Sequence, residues 1–251
     1  MVKAIMHGCN GKMGQVISRL VEQDKEIEIV AGIDLYDGIS NSYPVFKTID
    51  ECNVKADVII DFAASTAVDA LLDYCVETAT PVVLCTTGLS KEQINRVDET
   101  SKEVAVLYSA NMSLGINTLF KILASITGVL NGAGFDIEIV EKHHNQKLDA
   151  PSGTALALAD VINEQVDGQL HYVYDRSDKR QKREGKELGI SAVRGGTIVG
   201  EHEIIFAGEE EVIEIKHTAY SRNVFAKGAV EAAKFLKGKG PNKYTMRDVV
   251  E

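Results

Sequence analysis

The chain has 251 residues, 45% of them hydrophobic and 25% charged, which is the composition of a folded domain or pair of domains with a sizeable core. Its formal net charge of −10 disfavours a nucleic-acid-binding role, because contacts to phosphates need a basic face. Four cysteines (Cys9, Cys52, Cys75, Cys85) show no paired or zinc-type spacing and read as reduced thiols of a cytoplasmic protein. The chain opens on a strand-like run rather than a signal peptide. No stretch approaches ~18 consecutive apolar residues, so no membrane span is expected.

In chain order, Val2 to Met6 reads as a short apolar strand, followed by the glycine turn Gly8-Cys9-Asn10-Gly11-Lys12-Met13-Gly14. Apolar residues then recur at Met13, Val16, Ile17, Leu20 and Val21 with helical spacing. A second strand, Ile27 to Ile33, ends at Asp34. Strand, glycine turn, helix, strand and terminal acid are the order of a dinucleotide-binding βαβ unit. There the pyrophosphate lies on the helix N-terminus and the acid accepts hydrogen bonds from the ribose hydroxyls. The second glycine of the usual G-x-G-x-x-G is Asn10, so the turn reads G-x-x-G-x-x-G.

The alternation continues with a strand at Val58 to Phe62 and a helix presenting Ala67, Ala70, Leu71, Tyr74 and Cys75 on one face. A strand at Pro81 to Leu84 runs into Cys85-Thr86-Thr87-Gly88, and Ser90 with Gln93 forms a capping box that opens the next helix. Val104 to Leu107 is a further strand, ending in Ser109-Ala110-Asn111-Met112. In an open parallel sheet ligands lie beyond the carboxyl ends of the strands, so these turns can line one crevice.

From residue 114 the pattern changes. A helix over Leu114 to Leu130 precedes a strand at Phe135 to Val140, which leads into a loop carrying His143, His144 and Lys147. Pro151 then starts a helix running to about Gln165, with Ser152, Gly153 and Thr154 leaving backbone N–H groups uncovered for an anion. Three further strands are expected at Ile190 to Val193, Glu203 to Phe206 and Val212 to Lys216, and a helix at Val224 to Leu236 returns to the first domain. The basic run Lys179, Arg180, Lys182 and Arg183 alternates with acids and reads as a solvated loop, with an inward-facing anion clamp as the alternative. The fold class is therefore α/β: a Rossmann-type dinucleotide-binding domain (1–113 and 222–251) with a second α+β open-sheet domain for substrate binding and oligomerisation (114–221).

A cation, an imidazole and an anion cradle within twelve residues point to chemistry on a carboxylated substrate. A polar loop ahead of a helix is the plain alternative, since short motifs recur by chance. Another small-amino-acid dehydrogenase and a non-catalytic cofactor-binding module also remain open on these residues alone.

GCNGKMG at 8–14, CTTG at 85–88, SANMS at 109–113, EKHHNQKLDAPSGTA at 141–155, VRGGTIVGEHE at 193–203 and MRDVV at 246–250 together resemble the dihydrodipicolinate reductase family across essentially the whole chain. The resemblance implies hydride transfer from a nicotinamide cofactor to C4 of a cyclic imine dicarboxylate, as a homotetramer joined through its carboxy-terminal sheets. It places the proton donor and acceptor on His143 and a second catalytic group on Lys147. Substrate contacts fall on His144, Gly153 and Thr154. Cofactor contacts fall on Gly8, Cys9, Asn10, Gly11, Lys12, Met13, Asp34, Cys85, Thr86, Thr87, Ser109, Ala110, Asn111 and Met112. An imidazole, which titrates near pH ~6.5, suits the proton transfer. This chain departs from the family at Cys85, where glycine is common, and at Leu35, where many relatives carry an arginine suited to the 2′-phosphate of NADPH. Asp34 and Leu35 therefore predict a preference for NADH, with Lys12 leaving NADPH possible. No metal is expected.

Overall fold

A computed structural model of the chain describes every residue except Ala110, Asp178, Lys179 and Glu251. The chain divides into two compact units, Met1–Leu114 with Asn223–Glu251, and Gly115–Arg222.

The first unit begins β1 (Val2–His7), α1 (Lys12–Val21), β2 (Ile27–Ile33), β3 (Val45–Phe46), β4 (Val58–Asp61), α2 (Val68–Thr78), β5 (Val82–Leu84), α3 (Lys91–Thr100) and β6 (Ala105–Tyr108). A long helix, α4 (Leu114–Gly132), follows. The second unit continues with β7 (Asp136–His143), α5 (Gly153–Glu164), β8 (His171–Val173), β9 (Glu187–Arg194), β10 (Gly200–Ala207) and β11 (Val212–Ala219). The chain then re-enters the first unit through α6 (Asn223–Leu236), β12 (Asn242–Tyr244) and α7 (Met246–Val249).

The strands of the first unit form one parallel sheet in the order β12-β6-β5-β4-β1-β2-β3. Both faces are covered, which is why its strands are apolar at successive positions rather than at alternate ones. Ala4 and Met6 face Ile17, Val21 and the alanine-rich side of α6. Ile5 faces the opposite layer, built from Leu71, Leu72 and Cys75 of α2 and Val97 of α3. The α2 stripe differs from the predicted one: Ala67 lies in the turn over residues 65–67 ahead of the helix, and Val68, Leu71, Leu72 and Cys75 are buried while Ala70 is exposed. The predicted capping box at Ser90 and Gln93 is present in full. Register places the strand ends in one row, with His7 opposite both Ile33 and Asp61, Asp61 opposite Leu84, and Leu84 opposite Tyr108.

The second unit is a mixed five-stranded sheet, β11-β10-β7-β9-β8, whose central β7 pairs antiparallel with β10 and parallel with β9. One face is packed by Leu119 and Leu123 of α4 and by Leu158 and Ile162 of α5. α4 is long and apolar enough to cross a membrane by length and composition, but Ile116, Leu119, Phe120 and Leu123 are spent on this core. Along β7 burial alternates strictly, with Ile137, Ile139, Glu141 and His143 buried. His143 is thus the last residue of a strand and not part of a loop as its sequence suggests.

The basic segment is not simply solvated. Arg183 bonds the carboxylates of Asp136 and Glu138, and Arg176 bonds Glu138 and Glu187, which ties the chain ahead of β9 to the sheet. Lys179 lies outside the described residues.

Candidate active site

The first unit carries the glycine turn between β1 and α1. Gly8 has φ +82°, and a Cβ there would lie 2.8 Å from the Phe62 carbonyl oxygen, so only glycine fits both the conformation and the gap. Gly11 is the N-cap of α1 and no side chain caps it, which leaves the helix N-terminus open to an anion. Lys12 is exposed beside it and Met13 is half-buried against the core. Asn10, in place of the second glycine, anchors the segment after β2. Its side-chain amide donates to the Tyr36 carbonyl, its side-chain oxygen accepts from Asn41 at 2.8 Å, and its backbone N–H donates to Asp34 Oδ2 at 2.9 Å. The Cys9 side chain is wholly buried in the core, so only its backbone can face a ligand; burial, then the Asp34 charge, pushes its thiol up to about 11.

These turns border a cavity of about 540 Å³ whose lining includes His7, Gly8, Gly11, Asp34, Leu35 and Lys47. A glycine cradle, an open helix N-terminus and a carboxylate one strand over fit the pyrophosphate and ribose of a dinucleotide. Thr86 is buried and Thr87 exposed beyond β5, with Cys85 half-buried before them. Beyond β6, Ser109 Oγ donates to the Asn111 carbonyl, Asn111 Oδ1 accepts from the Ser113 N–H, and Met112 is buried in the core. Ala110 lies outside the described residues.

The second unit centres on His143. Its Nδ1 lies 2.6 Å from Glu141 Oε2, two residues earlier on the same face of β7. Glu141 is fully buried. Arg194, at the end of β9, grips both of its oxygens at 2.7 Å, and the Ser152 N–H donates to it at 2.9 Å. Burial would raise this carboxyl, but the bonds from Arg194, His143 and Ser152 outweigh it and hold the group below the usual carboxylate range. On the other side of His143 stands His202, edge-on at 5.2 Å between ring centres, with its Nε2 3.0 Å from Ser152 Oγ. Burial, then the nearby His143, pushes His202 down to about 4, so it stays neutral. Gly200 faces the remaining nitrogen: a Cβ there would sit 3.1 Å from His143 Nε2.

The anion cradle differs from its sequence reading. Pro151, after a cis peptide bond, lies outside the helix, and Ser152 is the N-cap with its hydroxyl accepting from the Ala155 N–H. The Ser152 N–H is already given to Glu141. Beyond Ser152 the α5 N-terminus presents the exposed Gly153, whose backbone N–H is directed at Asp149, and the half-buried Thr154. Lys147 is half-buried, 2.8 Å from Asp149 Oδ1, and holds that carboxyl below its usual range. His144 is half-buried one residue past β7.

Sequence reading missed Glu141, Arg194, His202, His7 and Asp61. Period-two alternation through Ile137, Ile139, Glu141 and His143 carried the first of these, had the strand been extended past Val140.

The family model described as "Dihydrodipicolinate reductase, N-terminus" matches residues 2–112, and the one described as "Dihydrodipicolinate reductase, C-terminus" matches residues 115–250. The chain belongs to the dihydrodipicolinate reductase family. It is 52% identical over 251 residues to the 4-hydroxy-tetrahydrodipicolinate reductase of Clostridium novyi, covering all of this chain and 99% of that one. The 4-hydroxy-tetrahydrodipicolinate reductase of Caldanaerobacter subterraneus is 51% identical with the same coverage. Among solved structures, dipicolinate-bound dihydrodipicolinate reductase from Paenisporosarcina sp. TG-14 matches with a TM-score of 0.78 at 25% identity, covering 98% of this chain and 97% of that one. An aspartate dehydrogenase from Thermotoga maritima matches with a TM-score of 0.52 at 14% identity, covering 95% and 98%, which is likeness of fold alone. That settles the alternative of a small-amino-acid dehydrogenase: the dehydrogenase shares the architecture, while both halves of this chain match the reductase family.

Proposed function

We propose that the first unit binds the dinucleotide, that the second binds the dicarboxylate, and that His143 handles the proton of the reduction. The enzyme is an NAD(P)H-dependent oxidoreductase of diaminopimelate and lysine biosynthesis that reduces 4-hydroxy-tetrahydrodipicolinate. The observation that carries the assignment of His143 is its bond to the buried Glu141.

When bound, NADH or NADPH would supply hydride to ring carbon C4 of the conjugated cyclic imine that forms once the 4-hydroxyl and a neighbouring ring proton have left as water. Hydride addition leaves a nitrogen-stabilised enamine that needs a proton. With Nδ1 committed to Glu141, His143 exchanges that proton through Nε2, the nitrogen that Gly200 leaves uncrowded. Glu141 stabilises the imidazolium before it gives up its proton and fixes the ring plane, and Arg194 keeps Glu141 ionised. Lys147 offsets one substrate carboxylate or protonates the ring nitrogen. Asp149 occupies Lys147 in the free chain, so the substrate competes with it for that cation. Gly153 and Thr154 at the α5 N-terminus, with His144, hold the second carboxylate.

Asp34 and Leu35 favour NADH: the carboxylate accepts from a ribose but repels a 2′-phosphate, and Leu35 offers that phosphate nothing. Lys12 and Lys47 leave NADPH usable. The outward face of the second sheet mixes Val140, Val193, Ile205 and Val212 with charged residues, which supports assembly of four chains through these sheets. Four free thiols accord with a cytoplasmic location.

The test follows NADH and NADPH oxidation while dihydrodipicolinate synthase generates the substrate from pyruvate and aspartate semialdehyde. Synthase-dependent oxidation is expected, faster with NADH, and His143→Gln should lower kcat by roughly two orders of magnitude. No oxidation by protein that still binds NADH would defeat the reading, and a change in KM alone would reduce His143 to a binding role.

A further inference from the structure

Asp61, the last residue of β4, is a fully buried carboxylate that no step above employs. Its Oδ1 lies 2.7 Å from His7 Nδ1 and accepts from the Ala63 N–H at 3.2 Å. Its Oδ2 accepts from Thr86 Oγ1 at 2.5 Å. Thr86 has one hydroxyl proton for Asp61 and for the Ala63 carbonyl, and the shorter, charge-assisted contact takes it. Backbone bonds run between the same segments, from Phe62 N to His7 O and from Cys85 N to Asp61 O.

The three donors come from three different segments. His7 ends β1 and leads directly into the glycine turn, Ala63 lies in the turn after β4, and Thr86 lies in the turn after β5. The first two turns approach so closely that a Cβ on Gly8 would strike the Phe62 carbonyl. His7, Gly8 and Ala63 all border the 540 Å³ cavity. A buried carboxylate with unlike donors on both oxygens holds what donates to it, because each donor it lost would stand unpaired away from water.

We propose that Asp61 is a positioning residue for the cofactor, fixing through His7 and Thr86 the spacing of the turns after β1, β4 and β5. It does not touch the dinucleotide. It sets where the N–H groups of the glycine turn stand relative to the Thr86 segment, and so sets affinity for the pyrophosphate and nicotinamide portions. The inference rests on the first unit being the dinucleotide site.

The experiment is an NADH fluorescence titration of the full chain together with steady-state kinetics. Asp61→Asn should raise Kd and KM for NADH by about tenfold, with kcat at saturating NADH within about threefold of the parent. Binding of dipicolinate, a non-reacting dicarboxylate, should not change. His7→Asn places an amide donor where Nδ1 stood and should keep NADH affinity within about threefold, while His7→Leu should weaken it as Asp61→Asn does. If Asp61→Asn does not fold, the two His7 variants decide. Parental NADH affinity in His7→Leu, or a loss confined to kcat in Asp61→Asn, would overturn the proposal. Absence of NADH binding in the parent would overturn the cofactor reading and this inference with it.

Discussion

Replacing Glu141 with glutamine probes the centre of the second unit without changing its volume. The carboxylate takes two bonds from Arg194, one from His143 and one from the Ser152 N–H. The amide keeps one acceptor and turns an NH₂ toward groups that are themselves donors. Removing one partner of a buried ion pair costs about 3–5 kcal/mol. The Arg194 side chain is 20% exposed, so water screens the charge left behind and the lower end applies, about 3 kcal/mol. For a chain of this size that is a fall in Tm of roughly 6–12 °C. With the ring no longer oriented, kcat should fall on the order of 10²-fold while KM for the dicarboxylate moves by less than about threefold. The folded-state pKa of Glu141 is depressed, so its contribution to stability is present above its unfolded value of ~4.3 and is lost as pH falls through the lower folded value. The variant should lose that acid limb. Synthase-coupled NADH oxidation and thermal melts between pH 3 and 8 read all three effects. Parental kcat in a variant whose Tm has dropped as expected would refute the orienting role, and an unchanged Tm would refute the energetic account of the network.

Other outcomes follow from the same geometry. His202 is held near about 4 against ~6.5 unfolded, so the stability tied to its neutral form is complete above ~6.5 and declines by about 3 kcal/mol as pH falls to about 4. His202→Gln, which can still bond Ser152, should flatten urea-unfolding stability over that interval; an unchanged slope would place the acid sensitivity elsewhere. Leu35→Arg should raise kcat/KM for NADPH relative to NADH by about tenfold, the worth of one charge-assisted bond to a 2′-phosphate. Equal ratios in parent and variant would show that position 35 does not read the cofactor. Gly8→Ala forces a Cβ to within 2.8 Å of the Phe62 oxygen at φ +82°, and should cost about 1–3 kcal/mol in denaturant unfolding and weaken NADH binding. Retained stability would mean that the turn can relax.

Where local pattern governs structure, the sequence was sufficient. The β1–α1–β2 unit was legible because apolar periodicity switches from strand to helix to strand around a glycine turn, and β2 spans the predicted residues, Ile27–Ile33. The Ser90 capping box was legible because its two residues lie three apart on one helical turn. The family was legible because its motifs are contiguous. Tertiary structure decided the rest. β3, β8 and β12 are only two or three residues long, too short to show a period, and exist because a neighbouring strand supplies their hydrogen bonds. Arg194 reaches Glu141 across 53 residues only because β9 pairs parallel with β7 in a register that sets His143 opposite Arg194. His7 meets Asp61 across 54 residues for the same reason in the other sheet. Spacing along a chain reports which face of its own element a side chain takes, whereas a partner on another strand is fixed by the register of two segments, which packing of the whole unit selects.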